Sequence, residues 1–229
     1  MQNTTENINT NVACLFDLDG VLVDTAVYHF KAWLQLANSL GFDFTQEQNE
    51  QLKGINRMQS LDKILAWGGV EKSAEEKDAL AAQKNGWYVA MINKMSAEEV
   101  LPGSIDLLES LKTHGIKIAL GSASKNSAVI LERCNLTHYF DAIVDGNVVS
   151  TSKPHPEVFL KGAELLGVTP AASLVFEDAQ AGIDAALAGN MKVVGVGEEH
   201  NLKGAHFYVK DLAGITVNQI LELLGVPAA

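Results

Sequence analysis

Asp17 and Asp19 close the short apolar run Val12-Ala-Cys-Leu-Phe16 and are followed at once by Gly20. Other polar groups stand at comparable places. Ser122 comes after Ile116-Lys-Ile-Ala-Leu120, and Glu177 and Asp178 come after Ser173-Leu-Val-Phe176. Lys153 lies in the loop Ser152-Lys-Pro-His-Pro156, ahead of the helix that leads to that last run. Runs apolar on both faces read as central strands of a parallel sheet. Open α/β sheets bind their ligands at the carboxyl ends of such strands. Four carboxylates gathered at one sheet edge repel one another unless a cation neutralises them, and hard oxygen donors favour Mg²⁺ over zinc. Mg²⁺, a lysine and a small hydroxyl together suit a phosphoryl group, whose transfer is mainly positioning and charge stabilisation. A carboxylate in that setting can act as nucleophile and carry the phosphoryl group itself.

The elements that must position these groups follow from the same pattern. Two more apolar runs, Ala142-Ile-Val144 and Val193-Val-Gly-Val196, precede Asp145-Gly146 and Gly197. Helical spacing runs from Ser104 to His114, Ser127 to Cys134, Pro156 to Leu166 and Ala179 to Ala188, with Gly115, Gly167 and Gly189 suited to helix C-termini. Strand alternating with helix predicts a doubly wound, parallel-sheet α/β fold with right-handed crossovers. From Ala26 to Ala97 no strand is expected. Tyr28, Phe30, Trp33, Leu34, Ala37 and Leu40 fall at helical spacing, and Gly41 stops that helix. Leu61, Ile64 and Leu65 indicate a second helix, and Ser73 with Glu76 forms a capping box for a third. The expected organisation is a flexible lead-in at 1–11, an α/β core at 12–25 and 98–229, and an inserted all-helical cap at 26–97.

Composition narrows the partners. Of 229 residues, 47% are apolar and 20% charged, which is ample material for a buried core. Lys plus Arg is 17 against 28 for Asp plus Glu, a net −11, which argues against nucleic acid or an anionic membrane as the main partner. The apolar runs fall short of the ~20 residues that span a bilayer, and the polar N-terminus does not read as a signal peptide. Cys14 and Cys134 are too few for a disulfide framework or a Cys-based zinc site. A cytoplasmic protein acting on a small molecule is expected.

Phe16-Asp-Leu-Asp-Gly-Val21, Ser122, Lys153-Pro154 and Glu177-Asp-Ala-Gln-Ala-Gly182 resemble, in order, the four motifs of the haloacid-dehalogenase-like phosphotransferase superfamily. The likeness spans about residues 12 to 220, and the insert resembles the helical cap of one subclass. Asp24-Thr25, Tyr28-His-Phe30, Ala32-Trp33, Leu52-Lys-Gly54, Arg57, Ser60-Leu61, Lys84-Asn85 and Ser122-Ala-Ser-Lys-Asn126 are similar to the sugar-phosphate mutases of that superfamily.

The resemblance implies Asp17 as nucleophile and Asp19 as general acid and base, with a pKa raised above the ~3.9 of a free aspartate. It implies Mg²⁺ on the Asp17 carboxylate, the Asp19 backbone carbonyl, Glu177 and Asp178. Ser122 and Lys153 would grip the transferring phosphoryl oxygens. Arg57, with Ala123, Ser124, Lys125 and Asn126, would hold a second phosphate, which a guanidinium binds as a bidentate fork. His29, Lys53, Gly54, Ser60 and Lys84 would face the sugar, and Thr25 would lie at the hinge. The implied reaction interconverts β-glucose 1-phosphate and glucose 6-phosphate through a bound bisphosphate, in a monomer. The alternative is a sugar-phosphate phosphatase on the same fold. A dehalogenase would not need Asp19, and a receiver-type switch would carry its phosphorylated aspartate after the third strand, not the first. Taken singly, each residue has a plainer reading: Ser122 as a helix cap, Lys153 as a loop lysine, Trp33, Trp67 and Trp87 as cap core.

Overall fold

The structure is a computed structural model that describes residues 11–198 and 202–226. The expected lead-in falls outside the described residues except for Asn11. That residue is tied down: Asn11 Nδ2 donates to the Gly167 carbonyl, and Lys117 Nζ donates to Asn11 Oδ1.

Strands β1 (Ala13–Phe16), β2 (Lys117–Gly121), β3 (Ala142–Val144), β4 (Ser173–Glu177), β5 (Lys192–Val196) and β6 (Phe207–Val209) form one parallel sheet in the order β3-β2-β1-β4-β5-β6. β1 is central, with Phe16 registered against Leu120 on one side and Phe176 on the other. The order reverses beside β1, which makes the carboxyl ends of β1 and β4 the switch-point crevice of a doubly wound sheet.

Both faces of the sheet are covered, as its continuous apolar runs require. Cys14, Phe16, Ile118, Leu120, Leu174 and Phe176 pack on one side with helices α5 (Ser104–Thr113), α6 (Ser127–Arg133) and α9 (Val217–Leu223). Ala13, Leu15, Ala119 and Val175 face the other, against α7 (Glu157–Leu166) and α8 (Gln180–Ala188).

Between β1 and α5 lie α1 (Ala26–Ser39), α2 (Gln46–Glu50), α3 (Arg57–Trp67) and α4 (Ala74–Ile92). They have their own core of Trp33, Leu36, Phe44, Leu61, Ile64 and Leu65. Ser73 caps α4 through the expected capping box with Glu76. The two crossings between insert and core run side by side: Leu101 N donates to Leu22 O, Asp24 N donates to Glu99 O, and Val23 bridges Val100.

Three features depart from the expected elements. β6, α9 and the five-residue α2 were not expected. Gly189 closes α8 as expected, at φ −81, and the next residue, Asn190, takes the left-handed turn at φ 57. Among the described residues no helix is long and apolar enough to cross a membrane.

Candidate active site

Asp17 N donates to Phe176 O at 3.0 Å, continuing the β1–β4 pairing one residue past the strand and fixing Asp17 beside Glu177. Lys153 joins them from the loop before α7. Its Nζ lies 2.5 Å from Asp17 Oδ1 and also bonds Glu177 Oε1, over the Phe159 ring at 4.7 Å. Burial works against the Lys153 charge, yet the Asp17 and Glu177 carboxylates outweigh it and hold its pKa above the ordinary lysine value. The Glu177 carboxyl is pushed up by burial despite Lys153, and Asp178 is pushed up by burial despite Lys53, with Asp17 adding to both. Asp178 also receives Lys53 Nζ, from the insert, at 3.3 Å.

Two glycines make room for this cluster. A Cβ on Gly20, which sits at φ +80, would run into the Asp178 carboxylate, and one on Gly182 would run into the carboxylate of Glu177. The motif glycines are therefore there to admit acidic side chains at close quarters.

Asp19 N donates to Asp17 Oδ2, and the Asp19 carboxylate accepts from the Thr25 hydroxyl. Burial first, and then repulsion from Asp17, push the Asp19 carboxyl up to about 7, against the pull of Thr25. A carboxyl poised there can hold or release a proton near neutral pH.

Asp17, Asp19, Asp178 and the stretch Ala123 to Asn126 line a cavity of about 530 Å³ from the sheet side. Thr25, His29, Lys53, Gly54, Arg57, Ser60 and Lys84 line it from the insert side. Ser122, Lys153 and Glu177 are buried behind that surface; the Ser122 hydroxyl accepts from Ser124 N. Ser60 is also engaged, its hydroxyl donating to Asn56 O.

On the insert, buried Lys84 reaches His29 Nδ1 at 3.0 Å, with its ammonium over the rings of Trp33 and Tyr88. Burial, reinforced by the nearby Arg57 guanidinium, lowers Lys84 to about 7 against the pull of Asp19. Burial and then Lys84 and Arg57 hold His29 well below its usual value, which suits its Nδ1 to accept a hydrogen bond from Lys84 Nζ.

Lining residues to which the sequence assigns no role are Asn49, Asn56, Asn85, Tyr88 and Ser152. Asn56 Nδ2 donates to Ser152 Oγ at 2.9 Å, and Asn126 Nδ2 donates to Asn85 Oδ1 at 3.0 Å, so both pairs tie insert to core. Tyr88 lies four residues after Lys84, one turn along the same face of α4, which is the one local signal it offered.

The donor set fits a divalent cation. One carboxylate oxygen from each of Asp17, Glu177 and Asp178 lies within 4.8 Å of the others, all three are hard donors, and the two motif acids at the end of β4 carry raised pKa values that a cation would relieve.

The family described as haloacid dehalogenase-like hydrolase matches residues 14–196, which holds every motif acid, Ser122 and Lys153. The chain belongs to the haloacid dehalogenase-like hydrolase family. Among relatives in this family, the chain is 42% identical to a beta-phosphoglucomutase of Bacillus subtilis, over 92% of this chain and 94% of that one. It is 32% identical to a phosphorylated carbohydrates phosphatase of Thermotoga maritima, over 93% and 97%. The crystal structure of a beta-phosphoglucomutase from Clostridium difficile superposes with a TM-score of 0.89 at 44% identity, covering 93% of this chain and 96% of that one. Membership of this family and the beta-phosphoglucomutase relatives make the chain an enzyme of phosphoryl transfer and imply a divalent metal.

Proposed function

We propose that this protein is a phosphosugar mutase that interconverts β-D-glucose 1-phosphate and D-glucose 6-phosphate through an aspartyl-phosphate on Asp17 and a bound bisphosphate. The observation that carries it is the placement of basic residues at both ends of one cavity, one of them buried just behind its wall. Lys153 stands behind the nucleophile, and Arg57 with Lys84 stands on the facing insert. A ligand with a phosphate at each end suits that arrangement, and the beta-phosphoglucomutase relatives support the choice of sugar.

In the proposed reaction Asp17 attacks phosphorus, and the bond from phosphorus to the sugar oxygen breaks as Asp19 protonates that oxygen. In the other half-reaction Asp19 takes the proton from the accepting hydroxyl while the phosphoryl group leaves Asp17. Ser122 and Lys153 hold the transferring oxygens, and Arg57, Ser124, Lys125 and Asn126 hold the distal phosphate. Mg²⁺ on Asp17, the Asp19 carbonyl, Glu177 and Asp178 would supply charge neutralisation for the carboxylates and the phosphoryl oxygens. Helices α1 to α4 act as a lid that keeps water from the aspartyl-phosphate.

A second reading, hydrolysis of sugar phosphates, is favoured by the phosphatase relative of Thermotoga maritima. Phosphorus NMR of the protein with β-glucose 1-phosphate, Mg²⁺ and a trace of the bisphosphate separates the two. Glucose 6-phosphate forming faster than free phosphate supports the mutase, and the reverse order supports the phosphatase.

A further inference from the structure

The loop between β3 and α7 carries Lys153 into the site. Ser150 and Thr151 are exposed, whereas Lys153, two residues on, is 1% exposed and held between Asp17 and Glu177. Ser152, between them, lines the cavity and accepts from Asn56 Nδ2 at 2.9 Å. Asn56 in turn caps α3, directly ahead of Arg57. One short stretch of chain thus meets the nucleophile's carboxylate with one residue and the insert with the residue before it.

Glu157, in the first turn of α7, holds that stretch from the solvent side. Its Oε1 accepts from Ser150 N at 3.0 Å, and its Oε2 accepts from Thr151 N at 2.8 Å and from Ser150 Oγ at 2.9 Å. Among the described residues no other group accepts from either amide. Lys161, one turn along α7, pairs with Glu157 at 3.0 Å and donates to the Val148 carbonyl at 2.8 Å. The Ser150 amide first, then Lys161 and the Ser150 hydroxyl, hold the Glu157 carboxyl down to about 2. A glutamate at a helix start is favoured by the macrodipole without any side-chain partner. Here both of its oxygens turn back onto the loop.

We infer that Glu157 is a positioning residue of the reaction, holding the loop that sets Lys153 against Asp17 and Ser152 against the insert. The inference rests on the proposed role of Lys153 as a grip on the transferring phosphoryl group. A lysine ammonium sits on a flexible four-carbon stem, so its place is only as fixed as the backbone that carries it. That backbone lies in a loop, not in a strand or helix, and loops depend on side-chain contacts for their order. Glu157 supplies three such contacts within three residues of Lys153, and it touches neither the cavity nor the acidic cluster.

The test is a double-mutant cycle on phosphorylation of the protein by acetyl phosphate with Mg²⁺, using Glu157→Gln and Lys153→Met singly and together. Glutamine keeps the size of the side chain but puts an amide N–H₂ where one carboxylate oxygen accepted. Glu157→Gln alone should slow phosphorylation about tenfold, as a small misplacement of a charge-bearing group does. With Lys153→Met already in place it should cost little or nothing further, because the group it positions is gone. An equal loss in both backgrounds overturns the inference and leaves the role of Lys153 standing. Lys153→Met at the wild-type rate overturns that role and the inference with it. An unchanged rate in Glu157→Gln with a lowered Tm means that Glu157 serves only the start of α7, which also overturns the inference. Hydrogen exchange decides without the lysine variant. The Ser150 and Thr151 amides should exchange roughly tenfold faster in Glu157→Gln, the worth of a lost hydrogen bond to a charged acceptor, while amides in the middle of α7 keep their rate. Unchanged protection at both amides overturns the inference.

Discussion

Lys53 Nζ, carried by the insert, stands 3.3 Å from Asp178 Oδ2 at the sheet edge, and the same ammonium reaches Glu50 at 2.8 Å. An insert lysine is thus paired with a carboxylate of the cluster suited to a cation. Lys53 and a divalent ion compete for the same negative charge. Lys53→Gln should tighten Mg²⁺ binding in the absence of substrate. With the Lys53 side chain 32% exposed, solvent screening limits the effect to about 1 kcal/mol, roughly fivefold. Calorimetric titration with Mg²⁺ checks it, and an unchanged or weaker affinity would show that Lys53 does not oppose the ion.

Asp17 is the proposed phosphoryl carrier, so removing its nucleophilic oxygen should remove turnover and little else. Asp17→Asn should lose several orders of magnitude in rate, as expected when a covalent intermediate is obligatory. Circular dichroism should report an intact fold. Near-normal turnover would eliminate the aspartyl-phosphate route.

Gly182→Ala tests the packing of the acidic cluster. The added methyl would run into the Glu177 carboxylate, and Glu177 also holds Ala179 N at 3.1 Å. Displacing Glu177 should weaken Mg²⁺ binding tenfold or more, on the scale of losing support for a metal ligand. Unaltered Mg²⁺ affinity would mean that the cluster tolerates the shift.

Much of this architecture is legible in the sequence because the sheet is buried on both faces. Val12 to Phe16 and Ser173 to Phe176 are apolar without alternation, and the chemistry begins where each run stops, at Asp17 and Glu177. β6 escapes because it has three residues at a sheet edge, with Phe207 and Tyr208 only partly buried. α9 had a local signal, a capping box of Thr216 and Gln219, of the same kind that marked α4. The Asn56–Ser152 and Asn85–Asn126 pairs join residues 96 and 41 positions apart, a distance at which spacing carries no information.

Lys84 gives a pH dependence of stability. Its pKa is about 7 when folded, because burial and then Arg57 oppose its charge, and near 10.4 when unfolded. Between those values the unfolded chain binds more protons at this site, so stability rises with pH across that window. Below about 7 both states are protonated, and the contribution to the slope vanishes. Lys84→Met should remove the rise. Urea unfolding without ligand from pH 7 to 9 should show a wild-type slope exceeding the variant's by up to about 1.4 kcal/mol per pH unit. Taking the difference between the two proteins cancels the titration of the remaining groups. Parallel slopes would mean that Lys84 is charged in the folded state.

Arg57 is the residue proposed to divide mutase from phosphatase. It opens α3 on the insert, half-buried and facing the cavity, with no salt-bridge partner among the described residues. A bisphosphate must bind in two orientations, with one phosphate at Asp17 and the other held away from it, and Arg57 offers a fork for the second. Because that contact spans the cavity, it couples phosphate binding to closure of the insert and to exclusion of water. A charge-assisted hydrogen bond is worth about 1.5–3 kcal/mol, so Arg57→Ala should cut isomerisation tenfold or more. Phosphorylation by acetyl phosphate, which has no second phosphate to hold, should fall far less. The ratio of free phosphate to glucose 6-phosphate, followed by phosphorus NMR, should rise as water gains access to the aspartyl-phosphate. An equal fall in both activities, with that ratio unchanged, would make Arg57 a structural residue of the insert and leave the second phosphate to Ser124, Lys125 and Asn126 alone.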